Sequence, residues 1–187
     1  MNRYSYSGVD RQGWVYFQRN PDSRGYSNGQ TDVGRNFRTY RGSGGNTGIN
    51  LTSKVPYKLG QWQHVVTVWE AETQTAIMYV DGEEAARQTW TAAGPGYVAN
   101  TDDHNPEQAL RGRAGLSIGS YNNTEPGSNP FRGGIDEVAL FNKALTPEQV
   151  KAHFENAKNP DRTVAYDALV KSDGPVGYWR LDDSTAG

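Results

Sequence analysis

The chain has 187 residues, a length that suits one ordinary domain plus a fragment of another. Its 19 Lys and Arg against 21 Asp and Glu leave a formal net charge of -2, which removes the basic excess expected of a nucleic-acid binder. The longest apolar run, Ala76–Val80, is far too short to cross a bilayer as a helix. The absence of cysteine excludes a disulfide scaffold, a thiolate metal site and a cysteine nucleophile together.

Leu, Ile, Val and Phe make up only 31 of the 187 residues, a content low enough to raise disorder as an option. The small net charge and an aromatic content of 11% argue against it, because each aromatic ring can bury roughly 150–250 Å². No secretory leader is read at the start, so an extracellular destination requires a signal outside these residues.

In chain order, Gly13–Gln18 is a short β-branched and aromatic run closed by turn residues at 20–23, and Asn36–Arg41 is a second strand ending at a Gly/Ser loop. The clearest hairpin joins Gln63–Trp69 to Thr75–Val80, followed by the turn pair Asp81-Gly82. Both faces of its first strand carry apolar groups, so it is expected to be covered on two sides or to lie inside a sheet. Residues 91–112 read as a long irregular loop. Strands resume at Gly115–Ser120 and at Ile135–Phe141. Thr146-Pro-Glu-Gln149 is a capping box with Pro at the first helical position, and it opens a helix to Ala157 with Val150 and Phe154 on one stripe. Asn159-Pro160 stops it. A weaker helical stretch, 163–170, leads into a last strand, Val176–Leu181. Many short strands with one marked helix predict an all-β, two-sheet antiparallel jelly-roll sandwich with a short C-terminal helix.

Four segments in register resemble the laminin-G/concanavalin A-like jelly-roll family, in its bacterial LamG-like branch. Gly60–Val66 is similar to the family's Gly-x-Trp-x-His-Val strand, Met78–Gly82 to its Tyr-Val-Asp-Gly turn, Leu116–Gly119 to the next strand, and Phe131–Leu145 with Thr146–Gln149 to its closing strand and terminal helix. The family opens with a Tyr-Trp-Arg-Leu type strand, and none precedes Gly13. One resembling it stands instead at Tyr178–Leu181. The expected organisation is therefore a jelly roll over 1–158 and, over 159–187, a linker with the opening strand of a following repeat, or else a strand that completes this domain or a neighbouring one.

The resemblance implies a structural Ca²⁺ held by Asp136 at the closing strand with Asp182 or Asp183 from the opening-type strand. Two carboxylates need further oxygens to reach the six to eight that calcium takes. Arg38, Tyr40, Trp90, Tyr97, Tyr121 and Asn122, at strand ends or in loops, are the candidate ligand-binding set, with rings to stack on sugars and polar groups for hydroxyls. Ordinary core or scattered surface roles are the competing reading of each. The acidic loop Thr101–Asn105 lacks a calcium-loop pattern and reads as an Asx-capped turn. His64, His104 and His153 are far apart in sequence, and His64 reads as a core histidine. Retaining glucanases of this architecture resemble one another through a Glu-x-Asp-x-x-Glu strand that the chain does not contain, so no catalytic residues are assigned. The expectation is a non-catalytic recognition or adhesion module of a larger extracellular or cell-surface bacterial protein, taking a polysaccharide or glycan. It inserts into no membrane and has a possible adjacent repeat or self-association through 176–187. A structural repeat and a polysaccharide hydrolase or lyase are the alternatives.

Overall fold

The computed structural model describes residues 2–4, 11–18, 36–42, 49–56, 58, 60–70, 72–89, 118 and 133–182. Among these the protein is mostly β, with antiparallel sheets and two short helices. One sheet has the order β1 (Asn2–Tyr4), β2 (Arg11–Gln18), β3 (Asn36–Gly42), β4 (Ile49–Pro56). A second is the meander β5 (Val65–Glu70), β6 (Thr75–Val80), β7 (Glu83–Thr89). The third is a ladder of two short strands far apart in sequence, β8 (Val138–Leu140) and β9 (Gly177–Trp179).

The meander follows directly from its sequence. Asp81 and Gly82 have φ of 53° and 81°, so a two-residue turn of the left-handed kind joins β6 to β7, the connection whose twist suits paired strands. The pairing then bulges. Met78 faces Ala86 while Tyr79 faces Glu84, which leaves Ala85 as the extra residue and turns both alanines inward. All six residues of the central strand β6 are buried.

Two apolar clusters lie on the two faces of this meander. Phe37 and Leu51 of the four-stranded sheet join Ala76, Met78, Val80, Ala85 and Ala86 in one. In the other, Val68, Ile77 and Tyr79 meet Leu145 and Val150, with Phe141 packed against them. The expectation that the β5 segment is covered on two sides is met.

Helix α1 (Pro147–Lys158) starts at the expected capping box. Thr146 Oγ1 accepts from the Gln149 N–H at 3.2 Å, and Gln149 Oε1 accepts from the Thr146 N–H at 2.9 Å. It ends at Asn159, ahead of Pro160. Helix α2 (Tyr166–Ser172) begins and ends a little later than the stretch 163–170 read from sequence, and Val170 is fully buried. Gly174, at φ 68°, carries the chain out of α2 in the left-handed conformation that commonly closes a helix, and Pro175 follows. The closing strand is shorter than Ile135–Phe141, because Glu137 adopts φ 54° and breaks the extended run. The Gly115–Ser120 segment and the 91–112 loop fall outside the described residues, apart from half-buried Ile118.

Candidate functional site

Two groups of polar side chains stand out, both near the α1 end of the meander. The first grows from the β6–β7 turn. Asp81 donates its N–H to the His64 carbonyl at 2.8 Å, and its Oδ1 accepts from the His64 N–H at 3.1 Å. Its Oδ2 accepts from Gln63 Nε2 at 3.4 Å, while Gln63 Oε1 accepts from the Lys58 N–H at 2.6 Å. One aspartate thus ties the entry of β5 to the turn beyond β6. The His64 ring lies 6.4 Å from the Phe154 ring in a stacked arrangement and 6.4 Å from the His153 ring. Burial, and then His153, push the His64 pKa down to about 4 against the opposing pull of Asp81, so the ring is neutral at pH 7. Its Nδ1 is buried, with no hydrogen-bond partner among the described residues.

The second group joins α1 to the segment that follows it. His153 is buried, and its Nε2 lies 2.7 Å from Asp173 Oδ2; a carboxylate only accepts, so this nitrogen carries the proton. Gln149, one turn earlier on the same face, donates from Nε2 to Asp173 Oδ1 at 2.6 Å. Asp173 caps α2, so both carboxylate oxygens anchor the end of α2 to α1. Tyr166 of α2 packs edge-on to His153 with ring centroids 6.0 Å apart. Its hydroxyl pKa is pushed up to about 12, first by burial and then by the Glu137 and Asp136 charges. Beyond it the Tyr178 hydroxyl donates to Glu137 Oε2, and Arg180 Nε lies 3.6 Å from Glu137 Oε1. Burial and that hydrogen bond also raise the Tyr178 pKa.

Of the candidate ligand-binding set, Arg38 and Tyr40 stand on β3, Arg38 opposite Phe17 and Thr52, Tyr40 opposite Val15 and Asn50. Trp90, Tyr97, Tyr121 and Asn122 lie outside the described residues, as do Asp183 and the Thr101–Asn105 loop. Asp136 and Asp182 come to the same end of the β8–β9 ladder, each with a partner of its own. Asp136 Oδ1 accepts from the Glu137 N–H at 2.9 Å, and Asp182 Oδ2 meets Arg180 at 2.9 Å. Among the described residues no group of three or more His, Cys, Asp or Glu could hold a metal ion. No described helix is long and apolar enough to cross a membrane.

The sequence separated His64 from His153, and the fold brings them together. Val150, His153 and Phe154 follow the i, i+3, i+4 spacing of a buried face, and that spacing was the available signal. Sequence reasoning also missed Trp62. Its side chain is 72% exposed, and its ring edge rests on Gly134, where a Cβ would lie 2.6 Å from Trp62 Cη2. A large indole is therefore held against glycine backbone while most of its surface meets solvent.

The profile of the Laminin_G_3 family, described as the concanavalin A-like lectin/glucanases superfamily, matches residues 5–151. The chain belongs to this family. No curated protein matches it. Among solved structures it is similar to an S-layer domain-containing protein from Clostridium thermocellum, with 21% identity and a TM-score of 0.37 over 67% of this chain. The chain spans about half of that one, 53%.

Proposed function

We propose that the protein is a non-catalytic carbohydrate-recognition module, built as a two-sheet jelly roll and carried on an extracellular or cell-surface protein. The observation that carries this reading is Trp62. An exposed ring seated on Gly134 is a platform on which a sugar ring can stack, in a family whose members include lectins. The same family includes glucanases, so the non-catalytic part of the reading rests on the sequence, which contains no Glu-x-Asp-x-x-Glu strand to set paired carboxylates on one face. Arg38 and Tyr40 on β3 are proposed as further contacts to the glycan.

A glycan array probed with the chain tests this. Binding that falls at least about tenfold in Trp62→Ala, with thermal stability unchanged, is the expected result. Equal binding by the variant sinks the platform, and cleavage of any glycan on the array sinks the non-catalytic reading. The array repeated in chelator tests a structural Ca²⁺ near Asp136 and Asp182. Loss of binding supports the metal, and equal binding removes it from the ligand argument.

A further inference from the structure

The β8–β9 ladder joins residues about forty positions apart, and its two strands are only three residues long. Ladder hydrogen bonds of that number do not hold a strand against chain entropy, so what fixes β9 lies in the side chains around it. Three features do so. Glu137 receives Tyr178 and Arg180, two residues apart on one face of the incoming strand, with a single carboxylate. Glu137 and Leu181 both take left-handed backbone, at φ 54° and 57°, where the Glu137 N–H donates to the Arg180 carbonyl and the ladder ends. Conformations of this kind persist in non-glycine residues only where the surroundings hold them. Asp173 is bound by Gln149 and His153 of α1, which sets where Gly174-Pro175 releases the chain toward β8, and the Val176 N–H then donates to the Leu140 carbonyl at 2.8 Å.

We propose that the edge of β8 is a strand-acceptor site and that its occupant in solution is the Tyr178-Trp-Arg180 strand of the same chain, selected by Glu137. The folded module then extends through α1 and α2 to Asp182 and does not stop at Asn159-Pro160. The strand that closes the module then comes from behind its terminal helix, about forty residues after the strand it pairs with. The recognition is for an extended segment with Tyr and Arg at i and i+2, a mode in which main-chain pairing supplies affinity and side-chain contacts supply selectivity. It stands apart from the glycan reading, because Trp62 belongs to neither strand.

The cysteine-free chain allows a direct test. Val138 and Trp179 face each other next to the hydrogen-bonded Glu137–Arg180 pair, the kind of position where Cα atoms approach within disulfide range. The double variant Val138→Cys/Trp179→Cys, oxidised in dilute solution, is expected to give an internally cross-linked monomer, read by non-reducing electrophoresis and peptide mass spectrometry. Its disulfide, equilibrated with glutathione, should form about tenfold less favourably when Glu137→Ala is added. The out-of-register pair Val138→Cys/Leu181→Cys should cross-link less readily than the in-register pair. Covalent dimers in place of monomers would assign the slot to a second copy and overturn the same-chain occupant. Two alkylatable thiols would overturn the site, and an unchanged equilibrium with Glu137→Ala would overturn its selectivity. None of these readouts depends on glycan binding.

Discussion

Gln149 occupies the third position of α1, where a capping box accepts either Glu or Gln, and its two contacts distinguish them. Its Oε1 accepts from the Thr146 N–H while its Nε2 donates to Asp173, so one amide serves the helix start and the α2 anchor together. In Gln149→Glu the capping acceptor survives, but a second carboxylate faces the mostly buried Asp173 side chain. The expected cost is about 1–3 kcal/mol, measured as a lower urea midpoint, with most of it recovered in Gln149→Glu/Asp173→Asn. An unchanged midpoint in the single variant would show that the contact contributes nothing. The cap itself was legible in Thr146-Pro-Glu-Gln149, because all its members are adjacent in sequence. Asp173, 24 residues on, was not, since no periodicity links the C-cap of one helix to the face of another.

The β6–β7 hairpin was half legible for a related reason. Asp-Gly announces the turn, and β6 has the apolar residues of a central strand, but Glu83-Glu-Ala-Ala-Arg-Gln-Thr89 has the composition of a helix. Pairing with β6, imposed by the turn, decides its conformation. In β4 the alternation Ile49, Leu51, Ser53, Val55 was present, but a serine interrupts it. That serine is buried, exchanging short hydrogen bonds with Val55 through its hydroxyl. Gly82 carries two demands at once. Its φ of 81° disfavours any side chain, and an added Cβ would lie 3.0 Å from Phe154 Cδ1 of α1. Gly82→Ala is therefore expected to lower stability by about 1–3 kcal/mol, and Asp81→Asn, which keeps an acceptor and tolerates left-handed backbone, by less. Calorimetric melting of both variants checks the order, and a Gly82→Ala melt matching the parent would refute the crowding.

At the scale of the molecule, the meander stands between two apolar clusters, the four-stranded sheet lining one and α1 with residues 141–145 the other. This double coverage was legible in the two-faced apolar pattern of the β5 segment, and family membership follows from motifs that flank it. Which loop side chains meet is not legible in the same way, because contacts between loops depend on long-range packing that local patterns do not record. His64 lies where the meander meets α1, and its burial makes the stability of the whole domain depend on pH. With a folded pKa of about 4 against an ordinary 6.5, the native ring excludes a proton that the unfolded chain binds between those values. Its contribution is complete above pH 6.5 and is lost as pH falls, by about 1.4 kcal/mol per unit, until the native ring also protonates near pH 4, a total of about 3 kcal/mol. Carboxylates titrate in the lower part of this window, so the decisive measurement is a difference between the parent and His64→Phe, which keeps a ring against Phe154. Urea midpoints taken from pH 7 to pH 4.5 should fall more steeply for the parent. Parallel curves for the two proteins would mean that His64 is solvated or already charged in the native state.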